Sequence, residues 1–395
     1  MSRKGPLAGL KILDFTTLLP GPYATLALAD MGADVLRVEA PHRPDLVRLL
    51  APFVDDLSAA HSYVNRNKRS LSLDLKHPEA VQLVKELVQD YDIVVEQFRP
   101  GVMERLGLGY DELRAENSRL IFCSITGYGQ SGPYRDRAGH DINYLALAGI
   151  SSYTGTRASG PVPAGFQIAD VAGGSMHALA GILAAVVERH HTGLGQAIDI
   201  SMTDAAFALN ALIGAGALVS GEDPEFESHP INGGGFYGNY RTSDGRYMSV
   251  GSLEPQFLAR LCAALDIEFP KSGAFALAGE ELGRLKDALR ERFAALTFEE
   301  CRTLFDGADA CVEPVLTLNE AARHPQLAAR GMVVEVPTPG GKCQRQLASP
   351  WRFSGHAPVY NAIGGKPGDD NRQVLQELGK SEAEIDRIMK AGILG

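Results

Sequence analysis

Two polar segments of the chain carry side chains that can exchange a proton with a carbon acid. His140 and Asp141 follow the glycine-rich loop 127–134, and Asp170 comes shortly before two consecutive glycines. A neutral imidazole and an ionised carboxylate can each act as a base, and their conjugate acids can each donate a proton. On opposite sides of one carbon, His140 and Asp170 would remove a proton from one face and return one to the other, which inverts the configuration.

Each of these residues also has a simpler explanation when it is considered alone. A histidine in such a loop is commonly a capping or surface residue, and an aspartate before a glycine-rich helix start is commonly a helix cap. A carbon acid is far less acidic than an imidazole or a carboxyl group, so the enolate has to be stabilised by oriented dipoles. The backbone N–H groups of the segment Gly139-His140-Asp141 are our candidates for that role.

Alternating strands and helices are predicted to hold these residues in place. Short apolar runs predict strands, and Ala/Leu-rich or amphipathic segments predict helices. The predicted strands are 10–15, 33–38, 92–96, 120–125 and 197–200, and the predicted helices are 23–31, 78–89, 102–106 and 173–190. This alternation indicates an α/β fold with a Rossmann-like parallel sheet covered on both faces. Ligands dock at the carboxyl ends of the strands of such sheets.

The character of the sequence changes near residue 225. Segments 239–242 and 247–250 flank Ser243-Asp244-Gly245-Arg246, which predicts a β-hairpin. Further helices are predicted at 255–265, 279–295, 298–306 and 369–378. We therefore expect a second, smaller α+β domain at 225–330.

The composition is that of an ordinary globular protein, with 395 residues of which 45% are hydrophobic and 22% are charged. The formal net charge of −10 argues against nucleic acid or an anionic membrane as a partner. The five cysteines are scattered and form no CxxC pair, which argues against a disulfide framework or a metal site and favours a reducing, cytoplasmic location. No secretory or peroxisomal signal is recognised, and the longest apolar run, 181–187, is too short to span a bilayer.

The first strand–turn–helix–strand unit is similar to the start of a dinucleotide-binding fold, in which Glu39 would contact a ribose. Its turn reads LLPGP rather than GxGxxG, so it lacks the glycines that let a pyrophosphate approach the backbone. We therefore do not expect classical NAD binding, and Glu39 has the simpler role of a polar strand end.

Many segments of the chain match, in fixed order, a pattern known from one group of enzymes. They are LAGLKILDFTTLLPGPYATLALADMGADVLRVEAP, NKRSLSLDLKHPEA, EQFRPGVMERLGLGYDEL, RLIFCSITGYGQSGPY, RAGHDINYLALAGI and ADVAGGSMHALAGILAAVVERHHTGLGQAIDISMTD. The chain thereby resembles the family III CoA-transferase superfamily over nearly its whole length. Two further segments are especially similar to the α-methylacyl-CoA racemases within it: YRTSDGRYMSVGSLEPQF and LFDGADACVEPVLTLNEA.

The resemblance implies roles for four residues around the reacting carbon. Asp170 is similar to the aspartate that forms a covalent thioester in the transferases and is one of two acid–base groups in the racemases. His140, in GHDINY, is similar to the second acid–base group of the racemases, where transferases mostly have another residue. The backbone N–H of Asp141 is implied to face the thioester oxygen. Glu254, in LEPQF, is similar to a glutamate that supports the histidine across a dimer interface, although such a residue can also be a solvated loop acid.

The same resemblance implies a set of coenzyme A contacts. These are Leu73, Asp74, Leu75, Lys76, Gln97, Phe98, Arg105 and Gly139. The basic side chains would meet phosphates through charge-assisted hydrogen bonds, although such residues are as often part of an ordinary basic surface. Many relatives carry an arginine where this chain has Ala40, so Arg37 or Arg43 is the candidate substitute for that nucleotide contact.

The resemblance implies a racemase or epimerase of 2-methyl-branched acyl-CoA thioesters, a class met in lipid metabolism, with His140 serving the S isomer and Asp170 the R isomer. It implies no metal or redox cofactor, because coenzyme A is part of the substrate. It also implies an interlocked homodimer whose large domain combines 1–224 with the C-terminal segment 331–395. One alternative is a CoA-transferase that moves CoA between carboxylic acids through a thioester on Asp170. Another is a non-catalytic acyl-CoA-binding protein.

Overall fold

The chain is divided into two compact units in the computed structural model, which describes residues 5–274 and 277–394. The larger unit contains residues 5–148, 164–209 and 325–394, and the smaller unit contains residues 149–163 and 210–324. The smaller unit therefore begins before the predicted boundary at 225. It also includes the excursion 149–163, whose two-residue strands are too short to leave a pattern in the sequence.

The secondary structure alternates between strands and helices along most of the larger unit. The strands are β1 (Lys11–Asp14), β2 (Asp34–Glu39), β3 (Phe53–Val54), β4 (Leu57–Ser58), β5 (Arg69–Ser72), β6 (Ile93–Glu96), β7 (Ile121–Thr126), β8 (Gly155–Thr156), β9 (Gly160–Pro161), β10 (Ala197–Ser201), β11 (Gly238–Arg241), β12 (Tyr247–Val250), β13 (Val312–Pro314), β14 (Val333–Pro337) and β15 (Cys343–Leu347). The α-helices are α1 (Pro20–Asp30), α2 (Ala59–Val64), α3 (Pro78–Val88), α4 (Val102–Arg105), α5 (Tyr110–Glu116), α6 (Asp141–Leu147), α7 (Met176–Thr192), α8 (Met202–Ala208), α9 (Ile213–Ser220), α10 (Pro255–Ala264), α11 (Gly279–Ala295), α12 (Phe298–Phe305), α13 (Leu318–Ala321), α14 (Pro325–Ala329), α15 (Asn371–Glu377) and α16 (Glu382–Lys390). Short 3₁₀ turns lie at Leu46–Leu49 and Ile150–Ser152, and π-helical turns lie at Ala169–Ser175 and Pro230–Gly234.

Six strands of the larger unit form one parallel sheet in the order β10-β7-β6-β1-β2-β5. This is the doubly wound strand order of Rossmann folds, and the direction of winding changes between β1 and β6. The predicted α/β fold with a parallel sheet is thus confirmed. Because all six strands run in the same direction, their carboxyl ends meet at one edge, and the loops that carry the candidate residues begin there.

The central strands are buried on both faces, as a parallel sheet requires. Ile12 and Leu13 of β1 and Val94 of β6 have no exposed surface. Helix α3 covers one face and begins at Pro78, where the missing N–H of proline does no harm. Its buried residues recur at helical spacing: Ala80, Leu83, Val84, Leu87 and Val88. Each fully buried aliphatic side chain of this kind contributes about 1.5–3 kcal/mol to folding.

The C-terminal segment completes this hydrophobic core. Val374 of α15 and Ile385 and Ile388 of α16 are buried in the same cluster as Leu36 of β2 and Val94 of β6. The sequence predicts α15, as 369–378, but it does not predict α16. The overlooked signal is the capping box at the start of α16, where the side chains and backbones of Ser381 and Glu384 bond reciprocally.

The smaller unit is built on a three-stranded antiparallel sheet in the order β11-β12-β13. The predicted hairpin is confirmed, with Tyr240 of β11 opposite Met248 of β12. Helix α11 packs on this sheet, and the rings of Tyr240 and Phe293 stack with their centroids 5.3 Å apart. Strand β11 is an edge strand of this sheet, with no strand paired on its outer side among the described residues.

One continuous helix runs through the π-helical turn Ala169–Ser175 and α7. With 24 residues it is the one described helix that is long and apolar enough by itself to cross a membrane. Ala178, Leu179 and Ile182 are buried, and the helix packs against α1, β7 and β10. This packing is that of a core helix in a globular unit.

Candidate active site

The residues proposed to move the proton lie beyond the carboxyl edge of the parallel sheet. His140 ends the loop that follows β7, and Asp141 begins α6. Asp170 lies in the first turn of the long helix that leads back to β10. In doubly wound sheets, this edge is where ligands bind.

His140 is held in place through its backbone, and its side chain is exposed. It occupies the position before the first residue of α6, with an extended backbone (φ −133°, ψ 172°). Asn143 caps the helix reciprocally: its side chain accepts the N–H of His140 at 3.0 Å, and its own N–H donates to the carbonyl of His140 at 2.8 Å. Because the N–H of His140 is used in this cap, Gly139 and Asp141 are the residues of the segment 139–141 whose N–H groups remain for a substrate oxygen.

A hydrogen bond joins the two segments that carry the candidate residues. The backbone N–H of Asp170 donates to Oδ1 of Asp141 at 3.0 Å, across 29 residues of sequence. The first N–H groups of a helix have no partner within the helix, and a carboxylate there is favoured by the helix dipole. Asp141 therefore caps the helix that carries Asp170, so Asp170 itself is not the cap that the simpler sequence interpretation suggested.

The start of this helix differs from the predicted one. The sequence predicts that the helix opens at Gly173, but it begins at Ala169 as a π-helical turn, so Asp170 lies inside it. Such π-helical turns occur frequently at functional sites. The turn is anchored by Ser175, whose Oγ donates to the carbonyl of Pro20 at 2.6 Å.

The Asp170 carboxyl is half-buried, and its pKa is raised to about 6. Burial is the main cause, the negative charge of Asp141 adds to it, and the positive charge of His140 opposes it. A carboxyl with a pKa near 6 is partly protonated close to neutral pH, so it can serve either as a base or as an acid.

Tyr144 holds the segment before His140 in place through a hydrogen bond to Gly139. The sequence analysis did not identify this residue. It is buried in α6, and its hydroxyl donates to the carbonyl of Gly139 at 2.5 Å. A Cβ atom added at Gly127 or at Gly139 would lie 2.6 Å from its ring, which explains both glycines. Burial and the charge of Asp170 raise the pKa of Tyr144 above its usual range, so the phenol stays a hydrogen-bond donor. Its position one helical turn after His140 is the signal that could have revealed it.

A buried cation fastens α1 to the sheet near this edge. The ammonium group of Lys68 bonds to the Asp14 carboxylate at 3.1 Å, to the Thr25 hydroxyl at 2.7 Å and to the Pro22 carbonyl at 2.9 Å. Thr25 also donates to Asp14, at 2.5 Å. Lys68 lowers the pKa of the buried Asp14 carboxyl and offsets the effect of burial. The network fixes the start of α1, against which the helix carrying Asp170 packs.

In the turn between β1 and α1, the N–H groups at the start of the helix are missing or already engaged. Proline residues occupy positions 20 and 22 and have no N–H. The N–H of Gly21 between them donates to Oε1 of Gln97 at 3.0 Å, and the N–H of Tyr23 donates to the carbonyl of Leu19. The N–H groups of Gly21 and Tyr23 are therefore not available to a pyrophosphate.

The proposed coenzyme A contacts also lie along this edge, in positions of different accessibility. Leu73 is completely buried in the core, so its side chain cannot reach a ligand. Lys76 and Arg105 are exposed, and Gln97 and Phe98 are half-buried next to the end of β6. The remaining candidates, Asp74, Leu75 and Gly139, are half-buried.

Arg37 is unsuitable as the substitute for the missing arginine at position 40. It is 1% exposed and pairs with Glu39 at 3.1 Å and with Asp45 at 2.5 Å. It also lies 2.6 Å from Nε2 of His61, whose pKa is lowered to about 2 by burial and by Arg37, so this imidazole is a neutral acceptor. Arg43, which is exposed, remains the candidate for that phosphate contact.

Glu254 precedes α10 in the smaller unit, and its exposed side chain forms no capping hydrogen bond. All five cysteines are free. Within the described residues, no group of three or more His, Cys, Asp and Glu side chains is arranged to hold a metal ion.

Comparison with known proteins identifies the relatives of this arrangement. The chain is 35% identical to the human (Homo sapiens) alpha-methylacyl-CoA racemase over 389 residues, which cover 97% of this chain and 96% of that protein. It is 34% identical to the human succinyl-CoA:glutarate CoA-transferase over 344 residues, which cover 86% of this chain and 78% of that protein. A CAIB/BAIF family protein from Brucella suis has a similar structure, with a TM-score of 0.83 and 29% identity over 95% of this chain and all of the other. The sequence model of CoA-transferase family III matches residues 7–369, and the chain therefore belongs to that family.

Proposed function

We propose that the protein inverts the α-carbon of 2-methyl-branched acyl-CoA thioesters. The observation that carries this proposal is the hydrogen bond from the Asp170 N–H to the Asp141 carboxylate, because it joins the segment that carries Asp170 to the segment that carries His140. An imidazole and a carboxyl of raised pKa are the pair that proton transfer at one carbon needs. The racemases among the relatives of the chain support the same choice.

The proposed cycle moves one proton off the α-carbon and another onto it. With the S isomer, neutral His140 takes the α-proton, and the electron pair of the broken C–H bond moves to the thioester oxygen as an enolate. The protonated carboxyl of Asp170 then gives its proton to the opposite face. With the R isomer, the ionised Asp170 takes the proton and the imidazolium of His140 returns one.

The enolate oxygen requires donors that are already oriented before the reaction. The N–H of Asp141, in the first turn of α6, is proposed for this role, because the first N–H groups of a helix lack partners within it. The N–H of Gly139 is the second candidate. Tyr144 fixes the direction of this peptide through its bond to the Gly139 carbonyl.

Proton NMR of a 2-methylacyl-CoA in deuterated water tests the proposal. The α-proton signal should disappear with the wild-type protein and persist with the His140→Ala/Asp170→Ala double variant. Asp136→Ala is a matched control, because Asp136 is an exposed acid in the same loop. Exchange that continues unchanged in the double variant would refute the assignment of these two residues.

A CoA-transferase is the second candidate, since relatives of the chain include transferases and Asp170 is an accessible carboxylate. In that reaction the Asp170 carboxyl would carry CoA as a thioester. Incubation with acyl-CoA and hydroxylamine distinguishes the two. Hydroxamate formation at residue 170 indicates transfer, whereas α-proton exchange without trapping indicates racemisation.

We also propose that the protein works as a homodimer in which Glu254 supports His140 of the other subunit. Helix α9 offers a surface for association, because none of its residues is buried and Leu218 and Val219 are 76% and 91% exposed. Co-expression of Glu254→Ala and His140→Ala chains provides the test. Mixed dimers regain one intact site only if the two residues act across the interface, and no recovery contradicts the proposal.

A cytoplasmic location is part of the proposal, since all five cysteines are free and Cys311 and Cys343 are exposed. Exposed free thiols persist best in a reducing compartment. Fractionation of cells that express the full chain tests this, and recovery outside the cytoplasm would contradict it.

A further inference from the structure

The π-helical turn that carries Asp170 contains residues that favour a helix poorly. Gly173 and Gly174 lie inside it, and glycine is among the weakest helix formers. The wider winding also requires hydrogen bonds from an N–H to the carbonyl five residues back, a pattern that is rare in proteins. We therefore expect side chains that bond to the carbonyls of the turn to hold it in this form.

His177, in the first turn of α7, supplies such bonds, and the proposed cycle gives it no role. Its Nδ1 atom lies 3.0 Å from the carbonyl oxygen of Ala172 and 2.8 Å from that of Gly173. A carbonyl oxygen only accepts hydrogen bonds, so Nδ1 of this imidazole carries a proton and donates its N–H to the turn. The half-buried imidazole thereby fastens the start of α7 to the turn.

The backbone shows where the winding of the helix changes. The N–H of Met176 donates both to the carbonyl of Val171, five residues back, and to that of Gly173, three residues back. The first bond belongs to the π-helical register, and neither belongs to the α-helical register, in which an N–H bonds four residues back. His177 follows directly, so its side chain acts at the junction between the two registers.

Ser175 acts on the same turn in a different way. Its side chain is buried, and its hydroxyl lies 2.6 Å from the carbonyl oxygen of Pro20 and 3.1 Å from that of Asp170. Ser175 thus fixes the turn to the start of α1, whereas the two His177 bonds stay within the helix. The contribution of His177 can therefore be removed while the anchor to α1 is kept.

We infer that His177 is a positioning residue that sets the direction of the Asp170 carboxyl by holding the π-helical register. This inference rests on the proposed function, because Asp170 is the acid–base group that is positioned. A turn that relaxed to the α-helical register would differ by one residue in its winding, which rotates Asp170 by about 100° about the helix axis. The Asp170 N–H would then leave the Asp141 carboxylate, and the carboxyl would turn away from the proposed site of the α-carbon.

Loss of the α-proton in deuterated water, measured separately for the R and the S isomer of a 2-methylacyl-CoA, tests the inference. With His177→Leu, exchange of the R isomer, for which Asp170 is the base, should fall about ten-fold or more, because small misplacements of a catalytic group have large effects. Exchange of the S isomer, for which His140 is the base, should change little. Partial unfolding would lower both rates together, so the ratio of the two rates is the readout.

Two further variants complete this experiment. His177→Asn keeps an N–H donor near the position of Nδ1 and should recover most of the R-isomer rate. His190→Leu is the matched control and should leave both rates unchanged, since His190 is an exposed histidine near the end of the same helix.

Crystal structures of the wild type, His177→Leu and His177→Asn provide a second measurement that needs no activity. His177→Leu should show the α-helical pattern of hydrogen bonds at 169–175 and no bond from the Asp170 N–H to Asp141, whereas the other two should keep the π-helical turn. The inference is overturned if His177→Leu keeps that turn or lowers exchange of both isomers equally. A wild-type chain that exchanges neither isomer would refute the proposed function instead, and the structures would still decide the role of His177.

Discussion

Replacement of Asp141 by asparagine should lower the pKa of the Asp170 carboxyl and leave the position of Asp170 unchanged. The new side-chain amide keeps an oxygen that can accept the Asp170 N–H, so the hydrogen bond that positions Asp170 is retained. What the substitution removes is the negative charge that helps raise the pKa of Asp170 to about 6. The backbone N–H at position 141, proposed to bind the enolate oxygen, is unchanged.

The expected size follows from Coulomb's law. Two unit charges 4 Å apart interact by about 1 kcal/mol in water and by about 4 kcal/mol at an effective dielectric constant of about 20. The Asp170 carboxyl is half-buried, and water screens such a pair, so the lower value is the better guide. Since about 1.4 kcal/mol corresponds to one pKa unit, the pKa of Asp170 should fall by about half to one pH unit.

The pH dependence of α-proton exchange measures this change. With His140 replaced by Gln, Asp170 is the remaining base, and kcat/KM for exchange of the R isomer in deuterated water reports its ionisation. Exchange should fall as pH decreases through the pKa of the carboxyl. Loss of the His140 charge alone should raise the pKa of Asp170, and with it the pH at which exchange falls, above the wild-type value. Addition of Asp141→Asn should lower that pH again.

The electrostatic reasoning would be refuted if Asp141→Asn left the pH at which exchange falls unchanged or moved it to a higher value. Asp136→Asn in the same background is the control, because Asp136 is exposed and pairs with Arg135 at 3.7 Å. An equal change in this control would mean that the overall charge of the loop, and not the charge of Asp141, determines the pH at which exchange falls.

Three further predictions concern the stability and geometry of the site. The raised pKa of Asp170 means that its ionised form disfavours the folded state, and this loss of stability develops between about pH 4 and about pH 6. Asp170→Asn should therefore raise the free energy of unfolding at pH 8 by about 1–2 kcal/mol and have little effect near pH 4, which denaturant unfolding at both pH values tests. Tyr144→Phe removes the hydrogen bond to Gly139 and should cost about 1 kcal/mol of stability together with a several-fold loss of exchange, whereas a normal exchange rate would show that the loop does not depend on this bond. Lys68→Met leaves the buried Asp14 without this ammonium group and should lower the free energy of unfolding at neutral pH by about 3–5 kcal/mol. Denaturant unfolding measures the loss, and an unchanged free energy of unfolding would contradict this role of the ion pair.

The sequence predicted five of the six strands of the parallel sheet, all but β5, and several helices of the larger unit, because strand and helix patterns are local. The apolar runs around Ile12 and Val94 marked strands that are indeed buried on both faces. The order of the strands was not predictable in the same way. Strands β1 and β6 are neighbours although they lie far apart in the chain, and no local pattern records such a pairing.

The candidate site shows the same limit. His140 and Asp170 were selected by residue type and by family resemblance, but the Asp141 carboxylate that caps the helix of Asp170 is a contact between distant segments. The helix start was misplaced because two glycines, poor helix formers, suggested that the helix opened there. Close packing of Gly174 against Pro20 and Met202 explains why at least one of these glycines lies inside the helix instead.

The first βα turn explains why a sheet with the dinucleotide-binding strand order has its candidate chemistry elsewhere. In such sheets the amino end of the first helix offers N–H groups and a positive dipole to a phosphate. Here Gly21 gives its N–H to Gln97, its proline neighbours have none, and Lys68 uses the Pro22 carbonyl. The N–H group between the two prolines is thus already engaged within the protein. The amino ends of α6 and of the helix of Asp170, which follow β7, are the positive ends that remain next to the proposed acid and base. A negative charge that develops on the thioester oxygen is therefore expected at α6, which is why the charge at position 141 should matter more to the reaction than any change in the first turn.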